Sequence, residues 1–283
     1  MRVDNTAAGL SILATCTTDV KQWYMQNGLQ LNPDKSEALF MGTVIQLRAV
    51  SSLQSVSVAD VDLPVADSMR VLGITLDRRL TFDNHASAVA RSCNYHARAI
   101  RHIRRLLTMD QAQTLACSLI LSRIDYCNSV LHGAPSSTIQ KLQRVQNNAA
   151  RIVLQAPRRS DVNSLLQTLH WLPVEQRINY KLAVLTFKTQ QTSSPQYLNQ
   201  HISLRTNPRN TRSSSVPLLC VPFRRTSFAR QPFSTAAPLT WNSLPPAVLN
   251  CDSLLSNQNL KLICFLPLSA NYSTCSASAS VAA

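Results

Sequence analysis

Glycine is scarce, with five in 283 residues. A β protein built on tight turns needs more positions able to take positive φ, so the scarcity favours helices. Acidic side chains are also few, 14 against 28 lysines and arginines, for a formal charge of +14. Long apolar runs are missing. No stretch approaches the ~18–20 apolar residues that a membrane span requires, and the longest candidate, Leu260 to Leu268, contains Lys261 and Pro267. A secretory leader is not expected either, because Asp4 interrupts the start and the apolar run after it is short. The eight cysteines are scattered and never form CxxC, and Cys117 and Cys127 lie inside apolar helical patterns. That usage fits a reduced, intracellular protein of the nucleus or cytoplasm, not a secreted one. GxSxG, GxGxxG and the P-loop are all absent, which leaves the enzyme classes they mark without support. There is no internal repeat.

What is present points to a charged, helical chain. The length has room for about two domains, and 45% hydrophobic residues allow a real core. The charge is uneven. Residues 1–69 hold Arg2, Lys21, Lys35 and Arg48 against Asp4, Asp19, Asp34, Glu37, Asp60, Asp62 and Asp67, a formal −3, so the remainder carries +17. Arginine dominates that remainder. Its planar fork binds two phosphate oxygens at once, so the asymmetry points to a polyanionic partner.

The stretch MDQAQTLACSLILSRIDYCNSVLHG, Met109 to Gly133, organises the rest. Leu115, Leu119, Ile120, Ile124, Cys127 and Leu131 recur at helical spacing, and Leu115 to Leu121 is apolar on nearly every side. The pattern predicts one buried central helix capped by Asp110 and stopped at Gly133. Before it, residues 7–26 predict an amphipathic helix with Leu10, Leu13, Val20, Trp23 and Tyr24 inward, ended by Asn27-Gly28. Asn32-Pro33-Asp34 reads as a turn, Glu37 to Met41 as a buried strand, and residues 55–65 as a hairpin. Met69 to Leu76 reads as one strand in which Gly73 permits a close backbone approach, and Arg78 to Thr81 as a turn. From Asp83 to Leu107 the period is helical, with Asp83 as cap. A third helix follows from Ser136 or Ser137 to about Gln155, with Ile139, Leu142, Val145, Ala149 and Ile152 inward. Shorter helices are expected over 162–169 and from Val174 to about Gln190. His170-Trp171-Leu172-Pro173 reads as a packing corner between them. Residues 203–215 look like a loop, and Phe233, Trp241 and Leu244 like a small cluster. After Cys251 the Ser, Ala and Cys content predicts a poorly ordered tail. The fold class expected is α+β and mostly helical, a small antiparallel sheet followed by a basic helical bundle and an irregular C-terminal region.

Several stretches resemble one family. DVKQWYMQNGLQLNPDKSEALFMG, MRVLGITLDRRLTFDNHASAVARSC, LILSRIDYCNSVLHGAP, KLQRVQNNAARIV, LHWLPVEQRINYKLAVLTFK, SPQYL and APLTWNSLP are similar, in order and spacing, to the C-terminal part of the reverse transcriptase of LINE-type, non-LTR retrotransposons. The resemblance, to jockey-like mobile elements, covers roughly residues 10–250. It implies that residues 1–81 are the end of the palm, 82–192 the thumb and following helices, 193–250 a family-specific region and 251–283 a tail. It makes Lys35 the motif lysine near the incoming nucleotide. It also makes the strand around Val71, Leu72 and Gly73 similar to the primer grip. The family's polymerase uses Mg2+ held by an Asp-Asp turn and an upstream aspartate. No Asp-Asp dipeptide occurs in these 283 residues. The chain therefore looks like a truncated copy, inactive alone, with no cofactor of its own, whose remaining capacity is to bind RNA and DNA.

The candidate contacts are basic. Arg91, Arg98 and Arg105 share a helix face at seven-residue spacing, with Arg101 beside it and Arg104 adjoining. Lys141, Arg144 and Arg151 lie on the third helix, followed by Arg158-Arg159. Read functionally, these line a cationic groove along a template–primer backbone. Read otherwise, they are a solvated, solubilising face of a helical protein–protein interaction domain, or of a non-functional relic. Tyr95 and His96 have the chemistry to stack on bases, with core packing expected for Tyr95. Asp60, Asp62 and Asp67 form an acidic hairpin surface, and Asp125 suits an internal ion pair. Cys93 and His96 make a CxxH, with Cys251, Cys264 and Cys275 trailing, but without the paired spacing of a zinc site, and no metal is expected. The sequence leaves the oligomeric state open.

Overall fold

A computed structural model describes residues 6–58, 61–205 and 217–249. The chain is α+β and mostly helical, with two separate two-stranded antiparallel sheets. It forms two compact units, Met1–Val89 with Gly133–Thr138, and Ala90–His132 with the chain from Ile139 onward.

In the first unit α1 spans Thr6–Gln26. It closes where Gly28 takes φ 69°. The Gly28 amide donates to Met25 at 3.1 Å and the Leu29 amide to Tyr24 at 2.8 Å, the paired bonds of a Schellman end. The apolar side expected to face a core does not. Leu13, Val20 and Trp23 are exposed, Trp23 by 57%. The Asn32-Pro33-Asp34 turn is a 3₁₀ turn over Pro33–Lys35, with the Asp34 amide donating to Asn32 Oδ1 at 3.0 Å. Glu37 to Met41 is not a buried strand. It makes one bridge, Ala38 to Val65, and both ends are exposed. A helix the periodicity missed, α2 (Val44–Ala49), follows, started by a capping box between Thr43 and Gln46.

β1 (Ser55–Val58) and β2 (Val61–Pro64) form the expected hairpin, with Val56 opposite Leu63 and both buried. The expected strand at Met69 to Leu76 is instead a second hairpin, β3 (Ser68–Val71) and β4 (Ile74–Asp77). Leu72 at φ 48° and Gly73 at φ 84° make the turn. Two positive φ values match strand twist, so Gly73 serves the turn and not a close approach. The Asp77 carboxylate then collects the Thr81 amide and hydroxyl, both at 3.0 Å, and the Phe82 amide at 2.7 Å. α3 (Asp83–Ile103) begins there, and Asp83 is its first residue, not its cap.

In the second unit Cys93, Ala97 and Ile100 are the buried side of α3, which runs into a 3₁₀ turn at Arg104–Leu106. α4 (Met109–Ala116) is capped by Thr108, whose hydroxyl and the Gln111 side chain exchange bonds. Asp110 is in the first turn and is not the cap. The central segment is also not one helix. A π turn, Cys117–Leu121, joins α4 to α5 (Ser122–Asp125). The extra residue shifts the buried stripe by one position, so Ile120 and Leu121 are both buried. The chain breaks after Asp125, with Cys127 at φ 50°, and a 3₁₀ turn over Asn128–Leu131 follows. One side of the segment stays open, with Ser118, Ser122 and Arg123 exposed.

α6 (Ser136–Val153) buries Leu142, Val145, Ala149 and Ile152 as expected, while Ile139 is half-buried. α7 (Val162–Thr168) is capped by Asp161. The turn at His170 has φ 53° and buries Trp171 and Leu172. α8 (Val174–Thr192) and α9 (Gln196–Asn199) follow. α10 (Phe233–Asn242) places Trp241 against Phe187, Leu219 and Leu249, and α11 (Pro246–Leu249) ends the described chain. Leu244 packs on this cluster, and Phe233 is not part of it. No helix among the described residues is long and apolar enough to cross a membrane. Asp60, most of the 203–215 loop, Cys251, Cys264, Cys275 and the 251–283 tail lie outside the described residues.

His85 is buried, and its Nδ1 accepts the Thr75 amide at 3.5 Å. Burial, and then the charge of Arg70, push its pKa below the ordinary 6.5. Burial alone does the same at His132. Below about pH 6.5 the unfolded chain binds protons that the folded chain refuses, so stability is full above that pH and falls beneath it. Urea unfolding from about pH 7.5 to about pH 5.5 should show the midpoint dropping, and His85→Asn should flatten that slope.

Candidate nucleic-acid interface

Helix geometry aligns the cations. α3 and α6 each rise about 1.5 Å per residue, so side chains seven apart lie about 10.5 Å apart on nearly the same face. Arg98, Arg101, Arg104 and Arg105 from α3 and its 3₁₀ turn meet Arg151 and Arg158 from the end of α6 and beyond, around one open groove of about 920 Å³. No Asp or Glu lines it. Arg98, Arg101, Arg105 and Arg158 are exposed, and none of the six has an ion pair among the described residues.

The other four basic positions named from the sequence are not in the lining. Arg91 is one seven-residue step before Arg98, while the groove reaches back only to Asn94. Lys141 and Arg144 precede its limit on α6, at Asn148, in the same way, and Arg159 is exposed outside it. Three amides that charge alone did not flag, Asn94, Asn148 and Gln155, line it instead. Their spacing is legible, since Asn94 is one turn before Arg98 and Asn148 and Gln155 flank Arg151. Arg101 Nη2 donates to Asn148 Oδ1 at 2.8 Å, which ties the two walls.

Arg104 has a different task from its neighbours. Its Nε donates to the carbonyls of Ile152 at 3.1 Å and Val153 at 3.0 Å, and Nη1 to Leu107 at 2.8 Å. Nη2 also donates to Val153. The Ile152 and Val153 carbonyls lie at the C-terminal end of α6, at the negative end of its dipole, and Ile152 also accepts the Gln155 amide at 3.2 Å. The guanidinium is thus committed to the fold.

Tyr95 is 72% exposed, against the core packing expected for it, and meets His96 edge-on at 5.4 Å. Cys93 is buried, and its thiol donates to the Ile120 carbonyl at 3.7 Å. Burial pushes that thiol up to about 11, the wrong direction for a metal-binding thiolate. Asp67 is exposed and pairs with Arg78 at 3.2 Å. Asp125 is the expected ion-pair member. Its Oδ2 meets Arg177 Nη1 at 2.6 Å, while burial raises its pKa and Arg177 opposes that. Among the described residues no group of three His, Cys, Asp or Glu comes together to hold a metal. In the first unit Lys35 is exposed at the end of its 3₁₀ turn. Val71 and Leu72 are exposed at the second hairpin's turn beside Gly73.

A second polar network was not foreseen. Gln146 is fully buried and donates to the Leu172 carbonyl at 2.8 Å. Gln143 Oε1 accepts the first amide of α8, that of Val174, at 2.8 Å. Arg177 Nε also donates to Leu172, at 2.7 Å. The corner at Trp171 is therefore pinned to α6 by amides, which hydrophobic periodicity cannot register.

Over 178 residues the chain is 28% identical to the probable RNA-directed DNA polymerase from transposon BS of Drosophila melanogaster. The match takes in 59% of this chain and 18% of that protein's length. No protein-family model matches, and no solved structure does. The chain is thus distantly similar, over part of its length, to a mobile-element polymerase.

Because Arg104 satisfies helix-end carbonyls while Arg105 is exposed, the two neighbours should differ on substitution. Arg104→Gln is expected to lower stability by about 1.5–3 kcal/mol, the scale of charged hydrogen bonds, whereas Arg105→Gln should stay within about 0.5 kcal/mol. Chemical denaturation of both variants measures this.

Proposed function

We propose that this chain is the C-terminal part of a LINE-type retrotransposon reverse transcriptase and that it holds the template–primer duplex. Residues 1–81 are the end of the palm, 82–192 the thumb with its following helices, and 193–250 a family-specific region. The observation that carries the reading is the groove with six arginines and no carboxylate in its lining. The partial similarity to a transposon polymerase supports it. Arg98, Arg101, Arg105, Arg151 and Arg158 contact phosphates. Asn148 holds Arg101 in place, and Arg104 sets the separation of the walls.

Affinity comes mainly from release of counterions by the nucleic-acid backbone, so it is sequence-tolerant and steeply salt-dependent. Lys35 and the turn at Val71, Leu72 and Gly73 stand where the family resemblance puts the nucleotide motif and the primer grip. The 283 residues contain no Asp-Asp pair. We assign them binding of nucleic acid.

An RNA–DNA hybrid titrated at two salt concentrations tests the reading by fluorescence anisotropy. Arg98→Glu, Arg101→Glu and Arg105→Glu together should weaken binding strongly, and should flatten the plot of log affinity against log salt by about 2–3 for three lost phosphate contacts. Unaltered affinity would remove the groove from the account. Incorporation of nucleotide by the isolated chain would overturn the assignment of binding alone.

A further inference from the structure

From Gln176 to Cys251 the sequence contains no Asp or Glu, against nine lysines and arginines. None of these that fall among the described residues lines the groove. Within this span one segment combines charge with an unusually bare aromatic ring. Phe223 is 83% exposed, and Arg224 and Arg225 beside it are exposed. Beside those two guanidiniums, the open ring offers an apolar face next to positive charge.

The segment is held at both ends. On one side Leu219 is buried, and its amide and carbonyl both bond the Asn242 side chain, at 2.8 and 2.9 Å. The Cys220 amide donates to Ser203 and the Arg205 amide to Leu218, both at 2.8 Å. On the other side Arg230 Nε donates to the Arg224 carbonyl at 3.4 Å, and Ala229 caps onto Thr226 Oγ1 at 3.2 Å. Pro222 fixes one φ immediately before the ring. Phe223, Arg224 and Arg225 are thus presented by an anchored loop, and a ligand that meets them loses little to ordering the backbone.

We infer that Phe223, with Arg224, Arg225 and Arg230, is a second nucleic-acid contact and that it takes single-stranded RNA or DNA. The chemistry selects the ligand. Guanidiniums in a stretch of sequence without acidic residues attract a phosphate backbone, and a bare phenyl ring stacks on a base whose face is free. In a duplex those faces are already stacked, so the ring discriminates for unpaired nucleotides. A membrane surface shares the attraction to cations, but interfacial binding depends on a broad apolar face, and one phenylalanine supplies little of that. The inference stands apart from the groove, because the two share no residue.

The test uses the full chain and a fluorescein-labelled oligouridylate of about twenty nucleotides, long enough to span several stacking sites. Phe223→Leu keeps an apolar side chain and removes the ring, and is expected to weaken binding about five- to a hundredfold, the range for one lost stacking contact. Phe223→Trp should bind as well or better. Arg224→Gln with Arg225→Gln should flatten the salt dependence by about 1.4. The RNA–DNA hybrid, read in parallel, should respond to the α3 arginine variants and hardly to Phe223→Leu. Hybrid affinity left unaltered by the α3 arginine variants sinks the groove and leaves this contact standing. Equal oligouridylate affinity for Phe223→Leu and the parent chain overturns the contact. So does binding to phosphatidylcholine–phosphatidylserine vesicles that needs Phe223 when the oligouridylate does not.

Discussion

The second unit depends on a helix end that one arginine ties to the neighbouring helix. At the C-terminal end of α6, Ile152 and Val153 turn their carbonyls toward Arg104. One planar group with several donors meets two acceptors there and a third at Leu107. A lysine offers a point charge and no such fork. This junction sets where the end of α3 lies against the end of α6, and with it the distance between the two arginine rows. The remaining guanidiniums repel one another, so the walls need a tie that does not depend on them. Arg104 supplies one, and the bond from Arg101 to the uncharged Asn148 side chain supplies a second.

Behind the groove the packing is helical and tightly specified. The π turn at Cys117–Leu121 puts two consecutive apolar residues into the core and leaves the Ile120 carbonyl to accept the Cys93 thiol. The glutamines of α6 fasten the Trp171 corner. Buried amides are expensive unless paired, and once paired they select one arrangement over near alternatives. The same logic applies at Asp125, where burial raises the carboxyl's pKa and the ion pair with Arg177 opposes that rise without cancelling it. None of these groups touches the groove, yet they keep the scaffold behind it from shifting register.

The parts legible in the sequence are those governed by period. The spacings of Arg98 and Arg105 and of Leu142, Val145 and Ala149 identified α3 and α6, and the alternation at Val56 and Leu63 identified the first hairpin. What escaped was set by through-space partners or by local backbone chemistry. Asp110 and Thr108 are both capping types, and only the reciprocal bond with Gln111 decides for Thr108. Leu72-Gly73 lacks the Asn or Asp that marks most such turns, so two strands looked like one. Tyr95 has the bulk of a core residue and none of the burial. Arg104 was indistinguishable from Arg105 by charge, since nothing in a linear chain tells which guanidinium finds a helix terminus.

A cluster of like charges without carboxylates also changes how the molecule senses its surroundings. Dissolved ions shield the guanidiniums from one another, which favours the compact state, and the same ions compete with a bound polyphosphate strand. On the reading proposed above, folding and occupancy would be pushed in opposite directions by ionic strength. On that reading a strand in the groove would act as counterion to these arginines, and its residence would tighten the scaffold that holds it.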